Sequence, residues 1–423
     1  MRQAVVLGAS IAGSLAARVL ADAFDRVLIV ERDDVGGTTP RRGVPQARHL
    51  HGLMERGRQI MEELYPGLTD DLAAAGAPTT EVLQGSRWYL AGLRVHPTAT
   101  GLTTLLASRP MLENAIRTRT LALPGVELYA HRGAVALSGG DTITGVRLAD
   151  GEVLDADLVV DATGRGSRAP DWLAALGHER PAEDRVDVDL GYASRMYRRK
   201  PEHLDGHLAV VVSTTPGFRG GGAITLEGDR WHVTLAGMLG DHPPVEPAEF
   251  ERFAATLPVP DVHEIVRDAE PLDDPVPHRF RGSLRRRYER LARPPRGLVV
   301  LGDALCSFNP LYAQGMTVAA QQALALRDCL PEADPARFYR AAATVVDVAW
   351  GMSTGSDLRY PGVEGPRSPR GRLVGAYAAR AQVAAHRDPV VARTFMRTAN
   401  LTLPPTALLA PDIVLRVLRA GRR

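Results

Sequence analysis

A short glycine turn near the N-terminus restricts the fold more than any other feature of this chain. Residues 4–7, Ala-Val-Val-Leu, read as a buried strand, and Gly8-Ala9-Ser10-Ile11-Ala12-Gly13 then opens an apolar helical stretch through Leu20. Gly8 permits a tight turn, and Gly13 lets the helix pack close to the strand. The helix N-terminus then presents N–H groups and a positive dipole end to a pyrophosphate. Ser10 stands where the middle glycine usually lies, and its Cβ narrows the phosphate approach, so the turn alone is a weak signal. The next strand, residues 27–30, ends at Glu31, eighteen residues after Gly13. A carboxylate there can accept from both ribose hydroxyls of an adenosine and disfavours a 2′-phosphate. The unit therefore suits FAD or NAD rather than NADP.

A chain of 423 residues exceeds one typical domain, and its formal charge of +2 gives no support for nucleic-acid binding. Its two cysteines, Cys306 and Cys329, form neither a disulfide framework nor a CxxC pair, so no metal site is expected and a reducing cytoplasm is. Lys200 is the only lysine among 51 basic residues. No lysine follows the glycines as a P-loop requires, and Schiff-base chemistry would rest on Lys200 within the exposed-looking run Arg198-Arg199-Lys200. No apolar run approaches the ~18 residues that span a bilayer. A basic, amphipathic terminal helix over residues 413–419 is expected to pack on the body. The chain is read as cytoplasmic, without stable membrane insertion.

Residues 1–184 are expected to form the first part of an α/β, Rossmann-like nucleotide-binding domain, with a few substrate-side strands near 80–100. Residues 185–285 read as an inserted antiparallel sheet, with Glu227-Gly228-Asp229 as a hairpin turn. Residues 286–332 complete the first domain, and 333–423 form a helical region interrupted by a Gly/Pro/Arg-rich loop from about Ser353 to Arg370. In the returning part, Gly302-Asp303-Ala304 follows the strand at 298–301, and Asn309-Pro310 and Gln314-Gly315-Met316-Thr317 come next. Asp303 at a strand end can hydrogen-bond a ribityl hydroxyl. A helix starting near Gly315 would place its dipole against the negative edge of a reduced flavin.

These two motifs, with Arg41-Arg42-Gly43-Val44-Pro45-Gln46, Arg48-His49-Leu50-His51-Gly52 and Asp357-Leu358-Arg359-Tyr360-Pro361, resemble a known family. It is the single-component FAD-dependent monooxygenases of the p-hydroxybenzoate hydroxylase fold (GR2-type), and within it the squalene-epoxidase-like and bacterial polyether-epoxidase branch. The resemblance covers about residues 1–330. It implies that Gly8, Ser10, Ile11, Ala12, Gly13, Glu31 and Arg32 hold the ADP half of FAD, with Arg41 and Arg42 along the cofactor or solvated. It implies that Arg109 contacts the ribose and ribityl region and that Val135 meets adenine through its backbone. Asp161 and Gly164 would lie in the middle fingerprint, and Asp303, Pro310, Gly315 and Met316 around the ribityl and isoalloxazine groups. The family's Asp-Gly pair is Thr163-Gly164 here, which puts direct reduction by NAD(P)H in question and leaves a separate flavin reductase as a partner.

The chemistry the resemblance implies is reduction of FAD by NAD(P)H, addition of O2 to give a C4a-hydroperoxyflavin, and transfer of one oxygen to substrate. The cofactor carries those steps, so no catalytic side chain is assigned. His49, His51 and His232 are acid–base candidates that are more often structural. Met196, Trp231 and Met238 are candidate linings of an apolar substrate chamber for an alkene or electron-rich aromatic, as in natural-product metabolism. Epoxidation and hydroxylation are not separated. A halogenase would need an early lysine and a Trp-x-Trp-x-Ile-Pro motif, and neither is present. A reductase of an isoprenoid-like double bond and a flavin-binding cyclase or scaffold without redox turnover stay open.

Overall fold

The computed structural model describes residues 1–39, 41, 43–215, 217–330 and 334–420. Five short apolar strands form a parallel sheet in the order Leu298–Val300, Leu158–Asp161, Gln3–Leu7, Arg26–Val30 and Val126–Tyr129. The first four read as nearly continuous apolar runs because helices cover both faces and leave no polar side to alternate with, whereas the edge strand exposes Glu127. Residues 4–7 are at most 1% exposed. The helix Ile11–Leu20 lies between this sheet and the later helix Gly315–Cys329. Chain direction and strand order put Gly8, Glu31, Ala162 and Gly302 at the same carboxyl edge, where open parallel sheets take their ligands. Backbone hydrogen bonds fix that edge: Gly8 donates to Val30, Ala162 to Leu7, and Leu301 to Asp161.

An eight-stranded sheet stands beside this edge. Its order is Cys306–Ser307, Val276–Arg286, Glu183–Arg198, Arg230–Gly237, Arg219–Leu226, Ala209–Val212, Ser86–Leu90 and Leu93–Arg94. The strands near 86–94 thus join the sheet built mainly from residues 183–286. The hairpin between Leu226 and Arg230 turns through Glu227, Gly228 and Asp229, the last two at positive φ, as hairpin connections favour. The period of two sorts the sheet's faces. Trp231, Val233 and Leu235 pack with Phe250, Phe253 and Ile265 of the helices Pro247–Ala254 and Asp261–Asp268. The alternate residues look toward the parallel sheet.

The helix Pro335–Asp357 continues through the serines and threonine at 353–356, where a loop is expected from composition. Thr354 and Ser356 donate their hydroxyls to the carbonyls of Trp350 and Met352 inside the helix, which removes their competition with it. The break comes after Asp357 and ends at the helix Pro369–Ala384. Ile413 and Val417 of the terminal helix Pro411–Ala420 are buried against this region. Among the described residues, no helix is long and apolar enough to cross a membrane.

Candidate functional site

The N-terminal turn has no room for side chains. A Cβ on Gly13 would stand 1.8 Å from the carbonyl oxygen of Gly8. Gly8 has φ +101°, and its Cβ would stand 2.8 Å from the carbonyl of Ala162. Gly302 has φ +63°, and its Cβ would meet Ala12 at 2.8 Å. Three loops from distant parts of the chain therefore touch through glycine, and backbone rather than side chain lines the cradle. Ser10 is the N-cap of Ile11–Leu20, yet its hydroxyl caps no N–H, and Ile11 is buried. The first-turn amides are left for a ligand, as a phosphate site needs.

Glu31 closes one side of the cradle. One carboxylate oxygen accepts from the Ala9 amide (2.9 Å) and from Arg41 (3.0 Å), and the other accepts from the Asp33 amide (3.0 Å). Burial alone would raise this carboxyl, but the two amides and the Arg41 charge hold it below its ordinary value. Arg41 is buried rather than solvated, and it also pairs with Glu113. Arg109 binds the same Glu113 at 3.1 Å, and Arg117 lies 3.6 Å away. Three guanidiniums thus face two carboxylates, a net positive cluster beside the phosphate cradle. Arg32 is exposed on the rim between Gly43 and Gly133. Arg42 lies outside the described residues. Val135 is exposed, and the ladder register shifts between Ala134 and Ala136 around it. A bulged residue is left out of the ladder, which frees its backbone for a base edge.

At the neighbouring strand end, Asp161 serves the loop that follows it. Its carboxylate accepts from the amide and hydroxyl of Thr163 and from the hydroxyl of Ser167. Gly164 has φ +82° and open space around it. Asp303 is different, because its carboxylate accepts no hydrogen bond among the described residues. Burial raises this carboxyl, against the pull of Arg109 and Arg165. Gly315 lies beside it, with a hypothetical Cβ 3.6 Å from its oxygen. The side chain of Met316 is buried in the core, which leaves its backbone at the helix start. Gln314, at that helix's N-cap, keeps a buried carbonyl oxygen without a partner. Pro310 is exposed at the start of the turn Pro310–Tyr312. A cradle that any Cβ would fill, free first-turn amides and the unpartnered carboxylate of Asp303 just beyond another strand end fit an elongated dinucleotide such as FAD.

Residues 48–52 strap the parallel-sheet half to the inner face of the large sheet. His49 Nδ1 lies 2.8 Å from the Ser194 hydroxyl, which in turn is 2.6 Å from Thr234. The Leu50 amide donates to Thr234, and His232 Nε2–H donates to the Arg48 carbonyl at 3.2 Å. Leu50 lies over Gly222, and Gly52 lies against Ala313 just before the Gly315 helix. Burial first, then the neighbouring His278, His232 and Arg48, lowers His49 to about 3. Burial and Arg109 lower His51 to about 3, and burial lowers His232 to about 4. All three are neutral imidazoles near pH 7.

Met196 lies on this inner face with Leu50 and Ile224, and Met238 lies on it with Tyr192 and Phe280. Trp231 does not. One residue out of phase, it is fully buried in the outer core, with its Nε1–H on His203. His278, its ring tilted against those of His49 and Tyr192, escapes a reading of motifs. The alternation shared by Tyr192, Ser194, His232 and Thr234 was the available signal. Asp357 also joins the site from outside. It accepts from Asn309 and Tyr312, each at 2.8 Å, while its second oxygen is buried and unpartnered. Burial pushes this carboxyl up to about 6, against those two hydrogen bonds.

The fold and the cradle define a flavoprotein oxidoreductase. A family model described as FAD dependent oxidoreductase matches residues 3–187, and the chain belongs to that family as an FAD-dependent enzyme. It is 35% identical to protein Rv3254 of Mycobacterium tuberculosis, over 94% of this chain and 89% of that one. A triple-substituted form of the flavin-dependent brominase Bmp2 superposes with a TM-score of 0.69 at 16% identity, covering 99% of both chains. PqsL of Pseudomonas aeruginosa, a probable FAD-dependent monooxygenase, superposes with a TM-score of 0.63 at 17% identity, covering 95% of this chain and 100% of that one. At such identities the two structures speak for the fold.

Proposed function

We propose that the chain is a monooxygenase that places one atom of O2 on an apolar or aromatic small molecule, by epoxidation or hydroxylation, in the manner of the squalene-epoxidase-like branch. The observation that carries this reading is the strap at 48–52. It lays neutral imidazoles and apolar Leu50, Met196 and Ile224 beside the half-site defined by Asp303 and Gly315. FAD, when bound, supplies the redox and oxygen-activating chemistry. The chain's part is to hold it and to keep water and charge away from the reacting face. Gly8, Gly13 and Glu31 would hold the ADP half; Asp303 and the amides near Gly315 would hold the ribityl and ring portions.

Electrons come from NADH or NADPH, or from a separate flavin reductase. Thr163 bears on that choice, because Asp161 already engages both its amide and its hydroxyl. Mixing the FAD-bound protein anaerobically with each nicotinamide tests direct reduction. Product mass then decides the reaction: a monooxygenase consumes O2 and adds one oxygen, whereas a double-bond reductase works without O2. Turnover of candidate substrates by the reduced protein without oxygen incorporation would overturn the proposal.

A further inference from the structure

His51 is fixed in one tautomer. Its Nδ1 lies 2.8 Å from the backbone carbonyl of His49. A carbonyl only accepts, so Nδ1 carries the proton and Nε2 carries the lone pair. Among the described residues, nothing donates to that nitrogen. The ring is close to Arg109, whose charge also weighs on Asp303, and Gly52 packs on Ala313 ahead of the Gly315 helix. The free acceptor thus stands where the flavin half-site meets the inner sheet face, next in the chain to Leu50, which packs in one apolar cluster with Met196.

We propose that His51 Nε2 is a specificity-determining acceptor for a hydrogen-bond donor, a hydroxyl or N–H, on an otherwise apolar substrate. This rests on the monooxygenase reading for the word substrate, while the binding itself does not depend on turnover. Burial and Arg109 hold the imidazole near 3, which makes it a poor proton abstractor. It therefore orients a neutral donor rather than removing its proton. A site built to pair with a donor rejects the analogue that lacks one, because a ligand seated over the half-buried ring then covers the acceptor without pairing it. His51 is a positioning residue here; no bond is made or broken on it.

The test is a titration of the FAD-bound protein with 2-naphthol and with 2-methoxynaphthalene, read by perturbation of the flavin absorption band. The donor and its methyl ether share a ring system and differ in the ability to donate. The wild type is expected to bind 2-naphthol roughly ten-fold or more tighter than the ether. His51→Leu should lose that preference while keeping affinity for the ether, and His51→Gln, which retains an acceptor, should restore part of it. Flavin content of each variant controls for folding. Equal affinity for the two probes in the wild type, an unchanged preference in His51→Leu, or no spectral change with either probe overturns the proposal. Failure of oxygen insertion with a normal naphthol preference would instead count against the monooxygenase reading alone.

Discussion

Acid should destabilise this protein well above the range in which ordinary carboxylates protonate. His49, His51 and His232 are held neutral when folded, at about 3, about 3 and about 4, against an ordinary value of 6.5. Their folded values are depressed, so their contribution is fully present above 6.5 and is lost as pH falls from there toward 3 to 4. Between about pH 7.5 and pH 5.5 the folded groups stay neutral while the unfolded ones take up protons, which costs about 1.4 kcal/mol each and about 4 kcal/mol together. Asp357 acts in the opposite sense. Raised to about 6, it binds a proton in the folded state first and returns about 0.8 kcal/mol over the same interval. These four groups together give a loss of about 3 kcal/mol. Urea unfolding followed by tryptophan fluorescence, with FAD in fixed excess, reads this at the two pH values. The informative comparison is His232→Gln, whose loss should be about 1.4 kcal/mol smaller than that of the wild type. If wild type and variant lose the same stability on acidification, His232 is not neutral and buried, and the reasoning fails.

Other perturbations test the cradle. Gly13→Ala forces a methyl to 1.8 Å from the Gly8 carbonyl, so flavin content after purification should fall to near zero and the melting temperature should drop by an amount equivalent to about 1–3 kcal/mol. Asp303→Ala should weaken FAD binding by roughly ten-fold or more, since a hydrogen bond to a charged group contributes about 1.5–3 kcal/mol; flavin fluorescence on dilution measures it. Asp357→Ala leaves Asn309 and the Tyr312 hydroxyl without their acceptor and should cost about 1–3 kcal/mol in thermal stability, whereas Asp357→Asn should cost less and remove any spectral transition near pH 6.

The nucleotide edge was legible because it is written in local chemistry. Gly8 and Gly13 announce close backbone approach, Glu31 follows a strand, and Asp303 ends another; each signal is a residue type that its position demands. The parallel sheet then brings these strand ends together, so the long separation between Glu31 and Asp303 hid nothing. The inner face of the large sheet was not legible in the same way. Membership there depends on strand phase, and a one-residue error moves a side chain to the opposite face. Trp231 looks like chamber lining by type and goes to the outer core by phase. His232, its neighbour, turns inward for the same reason. Arg41 was undecided from sequence, since only the fold supplies Glu113 as its second partner.

That contrast bears on where specificity resides. The cradle is backbone-lined, fixed by glycine and shaped for a ligand many chains share, so its chemistry can be general. The strap at 48–52 is instead held by side-chain contacts to both halves: His49 to Ser194, the Leu50 amide to Thr234, His51 beside Arg109. Ser194 and Thr234 come from strands more than a hundred residues away, so spacing along the chain does not show them as partners of the strap. Changing Ser194 or Thr234 should therefore reposition His49 and Leu50 without touching the glycine cradle. Ser194→Ala is expected to retain FAD fully while altering which ligands perturb the flavin band. Loss of FAD in that variant would show instead that the strap and the cradle fold as one unit.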